Sequence, residues 1–191
     1  MRLETTDIKE AKVGKLAPLF EMNAVLAKGE SVDRFGKVSM QKAIEDGKWI
    51  VLYFYPLDFT FVCPTEIRRF NELYDQFKDM GAEVIALSTD SIYSHLAWQE
   101  HELGKLFHPH ASDHTHEISK AYGVYDEKEG ISWRGTFIIA PNGLLKHASI
   151  NHGEGGRNID EVLRLLAVFI NEIEGKMVPC GWNPGNDFIN D

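Results

Sequence analysis

Two short, continuous apolar runs dominate the hydropathy pattern of the chain. Trp49 to Tyr55 (W-I-V-L-Y-F-Y) and Glu83 to Thr89 (E-V-I-A-L-S-T) are rich in β-branched and aromatic residues, which predicts strands buried on both faces. Between them Ile67, Phe70, Leu73, Tyr74 and Phe77 recur at helical spacing, predicting one amphipathic helix from Cys63 to about Met80 that Gly81 stops. Strand, helix and strand in this order form a βαβ unit, whose ligand-facing end lies at the carboxyl ends of its strands.

The flanking segments read as additions to that unit. Residues Met1 to Lys15 are polar and are expected to drape over the surface. Pro18 to Leu26 and Ser31 to Phe35, around a Lys28-Gly29 turn, predict a small hairpin. Ser39 is placed to cap a short helix through Ile44, closed by Gly47. Beyond the second strand, Asp90 or Ser91 caps a helix to about His101 with Ile92, Leu96 and Leu103 inward. After Tyr122-Gly123-Val124 and a turn at Glu127 to Gly130, Ile131 to Ala140 and Leu144 to Ile150 predict a hairpin across Pro141-Asn142-Gly143. Asn158 with Glu161 makes a capping box for a last helix with an apolar stripe at Ile159, Val162, Leu163, Leu166, Phe169 and Ile170. From Gly175 onward the chain is rich in Gly, Pro and Asn and reads as an arm, so the expected organisation is one domain over residues 1–172 and an arm over 173–191 that carries Cys180.

Composition narrows the function classes. A chain of 191 residues that is 43% hydrophobic buries one core comfortably, and two only with difficulty. A formal net charge of −9 disfavours nucleic acid as partner. The N-terminus lacks the apolar core of a signal peptide and no run is long enough to cross a bilayer, so cytoplasm is the expected location. Cys63 and Cys180 form neither a C-x-x-C nor a zinc pattern, which leaves a transient disulfide as their shared chemistry in a reducing compartment.

Cys63 is the strongest chemical candidate. It falls at the expected first turn of the helix, followed by Pro64, whose missing N–H costs nothing there, and with Glu66 in the same turn. Unpaired backbone N–H groups and the helix dipole favour a thiolate at that place. Thr60 can offer a hydroxyl to the sulfur or to an oxygen beside it, and Pro56 and Phe59 are expected to keep bulk water away. Taken alone, a single cysteine is more often a small buried hydrophobe. His108, His110, His114 and His116, with Asp113 and Glu117, offer metal-ligand chemistry, but histidines alternating in this way are expected to face solvent or a partner protomer.

The string F-Y-P-L-D-F-T-F-V-C-P-T-E, with Pro56, Thr60 and Cys63 as P-x-x-x-T-x-x-C, resembles the active-site loop of the typical two-cysteine peroxiredoxins, the class that includes the small subunit of alkyl hydroperoxide reductase. The resemblance runs from about Val13 to Gly185, and Ser112 to Val124 matches a further stretch of the family, which accounts structurally for His116 and Glu117. It implies a thioredoxin-like α/β fold with a central mixed sheet flanked by helices, an N-terminal hairpin and a C-terminal arm. It also implies assembly as homodimers and commonly as decamers.

The implied activity is reduction of hydrogen peroxide and alkyl hydroperoxides. Cys63 would be the peroxidatic thiol, with Arg134, in W-R-G-T-F, as the arginine that faces it, Arg157 as a second arginine and Glu66 orienting both. Cys180 of the partner subunit would resolve the sulfenic acid, a thioredoxin-like or flavoprotein-linked donor would reset the disulfide, and no metal or organic cofactor is needed. The sequence departs from the family in the arm, where V-C-P-x-G-W becomes M-V-P-C-G-W and moves the cysteine two residues later. It departs also at His101-Glu102-Leu103-Gly104, in place of G-G-L-G, and ends at Asp191 without a Tyr-Phe tail, so resistance to overoxidation is expected. A thioredoxin-type oxidoreductase would need a second cysteine near Cys63, a chaperone role is neither supported nor excluded, and a histidine metal protein is the remaining alternative.

Overall fold

The computed structural model of the chain describes residues 10–27, 29 and 34–189, so Lys28 and Ser31 of the expected hairpin lie outside the described residues. Two compact units are present, Met1–Arg157 and Asn158–Asp191.

The first unit is built on a seven-stranded mixed sheet. In chain order its strands are β1 (Glu21–Val25), β2 (Phe35–Ser39), β3 (Trp49–Phe54), β4 (Ala82–Ser88), β5 (His110–Ser112), β8 (Arg134–Ile139) and β9 (Leu145–Asn151), and a separate β6 (Tyr125–Asp126) and β7 (Ile131–Ser132) pair with each other. Across the sheet the order is β2-β1-β5-β4-β3-β8-β9, with β3, β4 and β5 parallel and the remaining pairs antiparallel. Every residue of β3 is buried, as its unbroken apolar run requires of a central strand, and every residue of β8 is buried as well, Arg134 and Thr136 included.

Strand alternation gives β3 two different faces. Ile50, Leu52 and Phe54 enter the main core, where Phe54 and Phe137 meet edge to face at 5.7 Å and Tyr122 packs on Phe137 at 4.8 Å. On the other face Tyr53 stacks on Phe70 with ring centroids 4.0 Å apart. Phe70 belongs to α2 (Cys63–Glu72), and this contact holds the helix, and therefore Cys63, against the carboxyl end of β3.

Several expectations are corrected. The single helix from Cys63 to Met80 is two, because Leu73 has ψ near 2° and the chain restarts as α3 (Tyr74–Asp79); the turn brings Phe77 back to Phe70 at 5.8 Å. The hairpin's second strand begins at Phe35, where it was expected to end, and β1 joins the main sheet through β5. Residues 10–15 do not merely drape: Gly14 N–H bonds Leu145 O at 2.9 Å and Lys15 O accepts from Leu145 N–H at 2.9 Å. Ser39 caps α1 (Met40–Glu45) through Lys42 N–H as expected. Helix α4 (Ile92–Trp98), capped by Ser91, continues as a π-helical turn over Gln99–Leu103. Its inward side is His95, Trp98 and Gln99 with Leu103, whereas Ile92 and Leu96 are only half-buried. A short α5 (Glu117–Ala121) precedes β6.

The second unit contains α6 (Ile159–Ile173), capped by the Asn158 side chain on Glu161 N–H at 3.2 Å, and the arm. The Glu161 carboxylate pairs with Arg164 at 2.6 Å. Arg164 also bonds Trp182 O, and Trp182 stacks on Phe188 at 5.5 Å, so the arm is folded rather than featureless coil. Cys180 lies in it, exposed. Among the described residues no helix is long and apolar enough to cross a membrane.

Gly135, second in β8, has no room for a side chain: a Cβ would lie 2.6 Å from Val124 Cγ1 and 2.8 Å from Phe137 Cε2. Gly135→Ala is expected to cost about 1–3 kcal/mol by overpacking, read as a shift of the urea midpoint at unchanged slope.

Candidate active site

Cys63 is the first residue of α2 and is fully buried. Pro64 sits in the first helical turn, and Thr65 N–H and hydroxyl both bond Val62 O, at 3.1 and 2.6 Å, closing the turn from the loop side. Arg134, first in β8 on the strand next to β3, aims its guanidinium at the sulfur: Nη1 donates to Sγ at 3.2 Å and to Glu66 Oε2 at 3.0 Å. Among the described residues its buried Nε has no partner.

Glu66 ties the site together. Three residues along α2 from Cys63, its carboxylate receives Arg134 on one oxygen, and on the other Arg157 N–H at 2.7 Å and Arg157 Nε at 3.1 Å. The side chains of Glu66, Arg134 and Arg157 are 2%, 4% and 6% exposed, so this is a buried ionic triad. Its desolvation is offset most fully at Arg157, where every guanidinium nitrogen finds an acceptor. Arg157 Nη1 bonds Gly135 O at 2.8 Å and Thr136 Oγ1 at 3.1 Å, and Nη2 bonds Phe54 O. Its guanidinium carbon also lies 5.4 Å from the Tyr53 ring centroid. Burial pulls the Arg157 pKa down from the ordinary guanidinium value, with Glu66 opposing, and burial pushes Tyr53 well up. Two cations face one carboxylate, so a sulfur anion would balance the charge of the site.

The structure thus brings Cys63, Glu66, Arg134 and Arg157 together. Thr60 and Pro56 lie half-buried on the loop that enters α2, and the Thr60 hydroxyl donates to Leu57 O at 3.0 Å. Phe59 is not the closed shield expected: it is 53% exposed, resting on Trp98 at 5.8 Å. Cys180 belongs to the second unit.

The histidine segment is corrected most. His108 and His110 are fully buried rather than facing solvent, His114 is exposed, and His116 stacks on Tyr125 at 4.8 Å. Asp113 spends its oxygens on α5, accepting Ser119 N–H and Oγ, each at 2.6 Å, and Ile118 N–H at 3.3 Å. The four histidines therefore do not converge. His110 instead meets two residues that sequence reasoning passed over, Asp58 of the active-site loop and His95 of α4, with ligand-type atoms all within 4.8 Å. The available signal was the matched alternation of Tyr53 and Tyr55 with His108 and His110.

A cysteine at the mouth of a helix, set at the carboxyl end of a central parallel strand beside buried guanidinium groups, defines a thioredoxin-like α/β protein with a reactive-thiol site. Comparison with known proteins narrows this class. The family model described as AhpC/TSA matches residues 13–148. The chain is 49% identical over 181 residues to a putative peroxiredoxin, YkuU, of Bacillus subtilis, covering 92% of this chain and 97% of that one. It is 45% identical over 183 residues to a thioredoxin peroxidase of Trypanosoma brucei rhodesiense, covering 93% and 89%. Its fold matches the reduced 2-Cys peroxiredoxin of Plasmodium vivax with a TM-score of 0.85 at 37% identity, over 93% of this chain and 92% of that one. The chain belongs to the AhpC/TSA family and is a peroxiredoxin, a thiol-dependent peroxidase.

Burial lowers the His108 pKa from 6.5 to about 4, against the contact of its Nδ1 with Pro109 O. The folded value lies below the unfolded one, so the unfolded chain takes the proton first as pH falls. The contribution of His108 to stability is complete above about pH 6.5 and lost toward pH 4, by about 3 kcal/mol. His110 is shifted in the same direction. His108→Leu is expected to flatten the fall in urea-unfolding free energy between pH 7 and pH 4; an unchanged slope would contradict this assignment.

Proposed function

We propose that Cys63 is the thiol that attacks the peroxide and Cys180 of the partner subunit is the thiol that resolves it. The observation that carries the first assignment is the 3.2 Å contact between Arg134 Nη1 and Sγ at a fully buried helix mouth. The sulfur anion attacks one oxygen of R–O–O–H: the S–O bond forms as the O–O bond breaks, sulfur loses two electrons, and the leaving alkoxide takes a proton to depart as alcohol or water. Charge grows on the departing oxygen in the transition state, where preorganised donors lower a barrier most. Arg134, with its Nη1 on the sulfur and its Nε unpartnered, is assigned to supply guanidinium N–H groups to the peroxide, while Glu66 and Arg157 hold that guanidinium in line. Thr60, at the entrance, is assigned to the peroxide oxygens and Pro56 to the wall of the pocket.

The sulfenic acid then meets the Cys180 thiolate, the S–S bond forms, and hydroxide leaves as water. Exposure of Cys180 suits a group that must reach another sulfur. Two electrons and two protons from a dithiol donor restore both thiols; a thioredoxin-like or flavoprotein-linked donor fits, in line with relatives named thioredoxin peroxidase. No metal or organic cofactor enters these steps. The substrates assigned are hydrogen peroxide and alkyl hydroperoxides. The reading places the protein in cytoplasm as a homodimer assembling into decamers, an arrangement that would cover Phe59, Phe61 and Tyr93, which are 53%, 95% and 71% exposed.

Cys63→Ser is expected to abolish peroxide consumption, and Cys180→Ser to remove the dimer band seen on nonreducing electrophoresis after one equivalent of peroxide. Retained turnover in the first variant, or a retained band in the second, would overturn the respective assignment. Arg134→Lys keeps the charge but loses the second aligned donor, and should lower the rate constant for Cys63 oxidation by about 10- to 100-fold in stopped-flow fluorescence.

A further inference from the structure

The face of the sheet that carries Tyr53 also carries a polar seam. Tyr53 of β3, Ala86 of β4 and His110 of β5 are in register across three strands. The small Ala86 and Ser88 of β4 leave room above them, so the phenols of Tyr53 and Tyr55 reach across to His108 and His110. Tyr53 Oη lies 3.5 Å from His108 Nε2, and Tyr55 Oη is hydrogen-bonded to His110 Nε2.

The donors and acceptors of the second pair can be assigned one by one. Arg34 Nη2 donates to Gln99 Oε1 at 2.6 Å, so Gln99 Nε2 donates to His110 Nδ1 at 3.3 Å. His110 is then the neutral Nε2–H tautomer, donating to Tyr55, whose hydroxyl donates to Asp58 Oδ1 at 2.6 Å. Burial, with His95 and His108 adding to it, lowers the His110 pKa well below the usual value and keeps it neutral. His95 faces an acceptor on each side, Asp58 Oδ2 at 2.9 Å from Nδ1 and Ala111 O at 3.1 Å from Nε2, so a proton lies between His95 and Asp58. The His95 and His110 rings are stacked at 3.8 Å and 9°. Near-parallel rings direct their lone pairs along parallel lines, so one metal ion cannot lie in both ring planes, and the hydrogen-bonded arrangement is favoured over a metal centre.

This network terminates on the loop that leads into Cys63. From Pro56 to Val62, Asp58 is the one buried residue; its carboxylate holds Tyr55 and His95, and its N–H donates to Asp90 Oδ2 at 2.9 Å. Cys63 is itself fully buried, so its sulfur must leave the pocket before any second thiol can meet it, and the loop must open for that.

We propose that Asp58 is the latch that keeps the Cys63 loop closed, and that Tyr55, His95 and His110 are positioning residues acting through its carboxylate. The latch favours the closed state that reacts with peroxide over the open state that forms the disulfide. The inference rests on Cys63 and Cys180 having the roles assigned above.

The test uses the full chain with Asp58→Ala, Asp58→Asn and His110→Leu. Asp58→Ala removes two charge-assisted hydrogen bonds, from Tyr55 and from His95, each equivalent to about tenfold or more in an equilibrium. It should therefore raise hydrogen exchange in peptides over residues 57–66 by at least about tenfold while β3 and β4 peptides stay protected, which shows that the fold is kept. In stopped flow it should slow oxidation of Cys63 and accelerate the following disulfide step; a merely weakened fold would slow both. His110→Leu should move each readout in the same sense. Asp58→Asn can still accept from Tyr55 and can donate to a neutral His95, so it should stay within about threefold of wild type. Unchanged loop exchange in Asp58→Ala, both steps slowed together, or Asp58→Asn behaving like Asp58→Ala would overturn the latch. So would a stoichiometric metal in the purified wild-type protein whose chelation reproduces the Asp58→Ala behaviour. Loop exchange does not depend on thiol chemistry, so a failed Cys63 or Cys180 assignment shows in those variants and leaves this readout standing.

Discussion

Two guanidinium groups and one carboxylate, all buried, set the terms for the site. Glu66 projects from the first turn of α2, Arg134 begins β8, and Arg157 ends the first unit; each arrives by a different part of the chain. None is stable alone in a low-dielectric interior, and together they leave one positive charge in excess. The helix must therefore seat at a fixed height on the sheet, with its first residue beside Arg134. The position of Cys63 follows from satisfying those charges as much as from the helix itself.

Strand β3 supplies the foundation and divides the labour of the fold. Its Ile50, Leu52 and Phe54 face is wholly apolar and joins the main core, which needs no polar partner. Its Tyr53 and Tyr55 face is apolar at the ring and polar at the tip, so it supports Phe70 and Arg157 at one end and the Asp58 and His110 network at the other. Buried polar groups of this kind cost several kcal/mol when unpaired, which is why the seam is satisfied atom by atom. The thiol pocket is thereby braced on two sides, through Glu66 on the helix and through Asp58 on the loop.

The roles proposed for Cys63 and Cys180 set opposed demands on these two braces. Oxidation of a buried sulfur is favoured by a dry, preorganised pocket, whereas a disulfide with an exposed cysteine requires release from it. Helix α2 has no side-chain cap at its start, and in the loop before it, from Pro56 to Val62, Asp58 is the one buried residue.

The local alphabet of the chain was enough for much of this. Buried strands, the helix mouth at Cys63, the Ser39 and Asn158 caps and the family motif are short-range signals, because they depend on periodicity, capping chemistry and contiguous residues. The likeness of Arg134 and Arg157 to family positions nominated them, but their meeting at Glu66 spans 68 and 91 residues of chain and is a fact of folding alone. The break at Leu73 escaped the pattern because a one-residue change of ψ leaves the apolar spacing nearly intact. His108 and His110 were misjudged for the opposite reason: alternating polar residues read as a solvent-facing edge, and only the three-strand register shows Tyr53 and Tyr55 waiting across β4 to pair with them. Sequence nominated which residues carry groups suited to react; the tertiary structure decided which are dry, paired and within reach, since burial and hydrogen bonding are properties of neighbours the chain does not hold nearby.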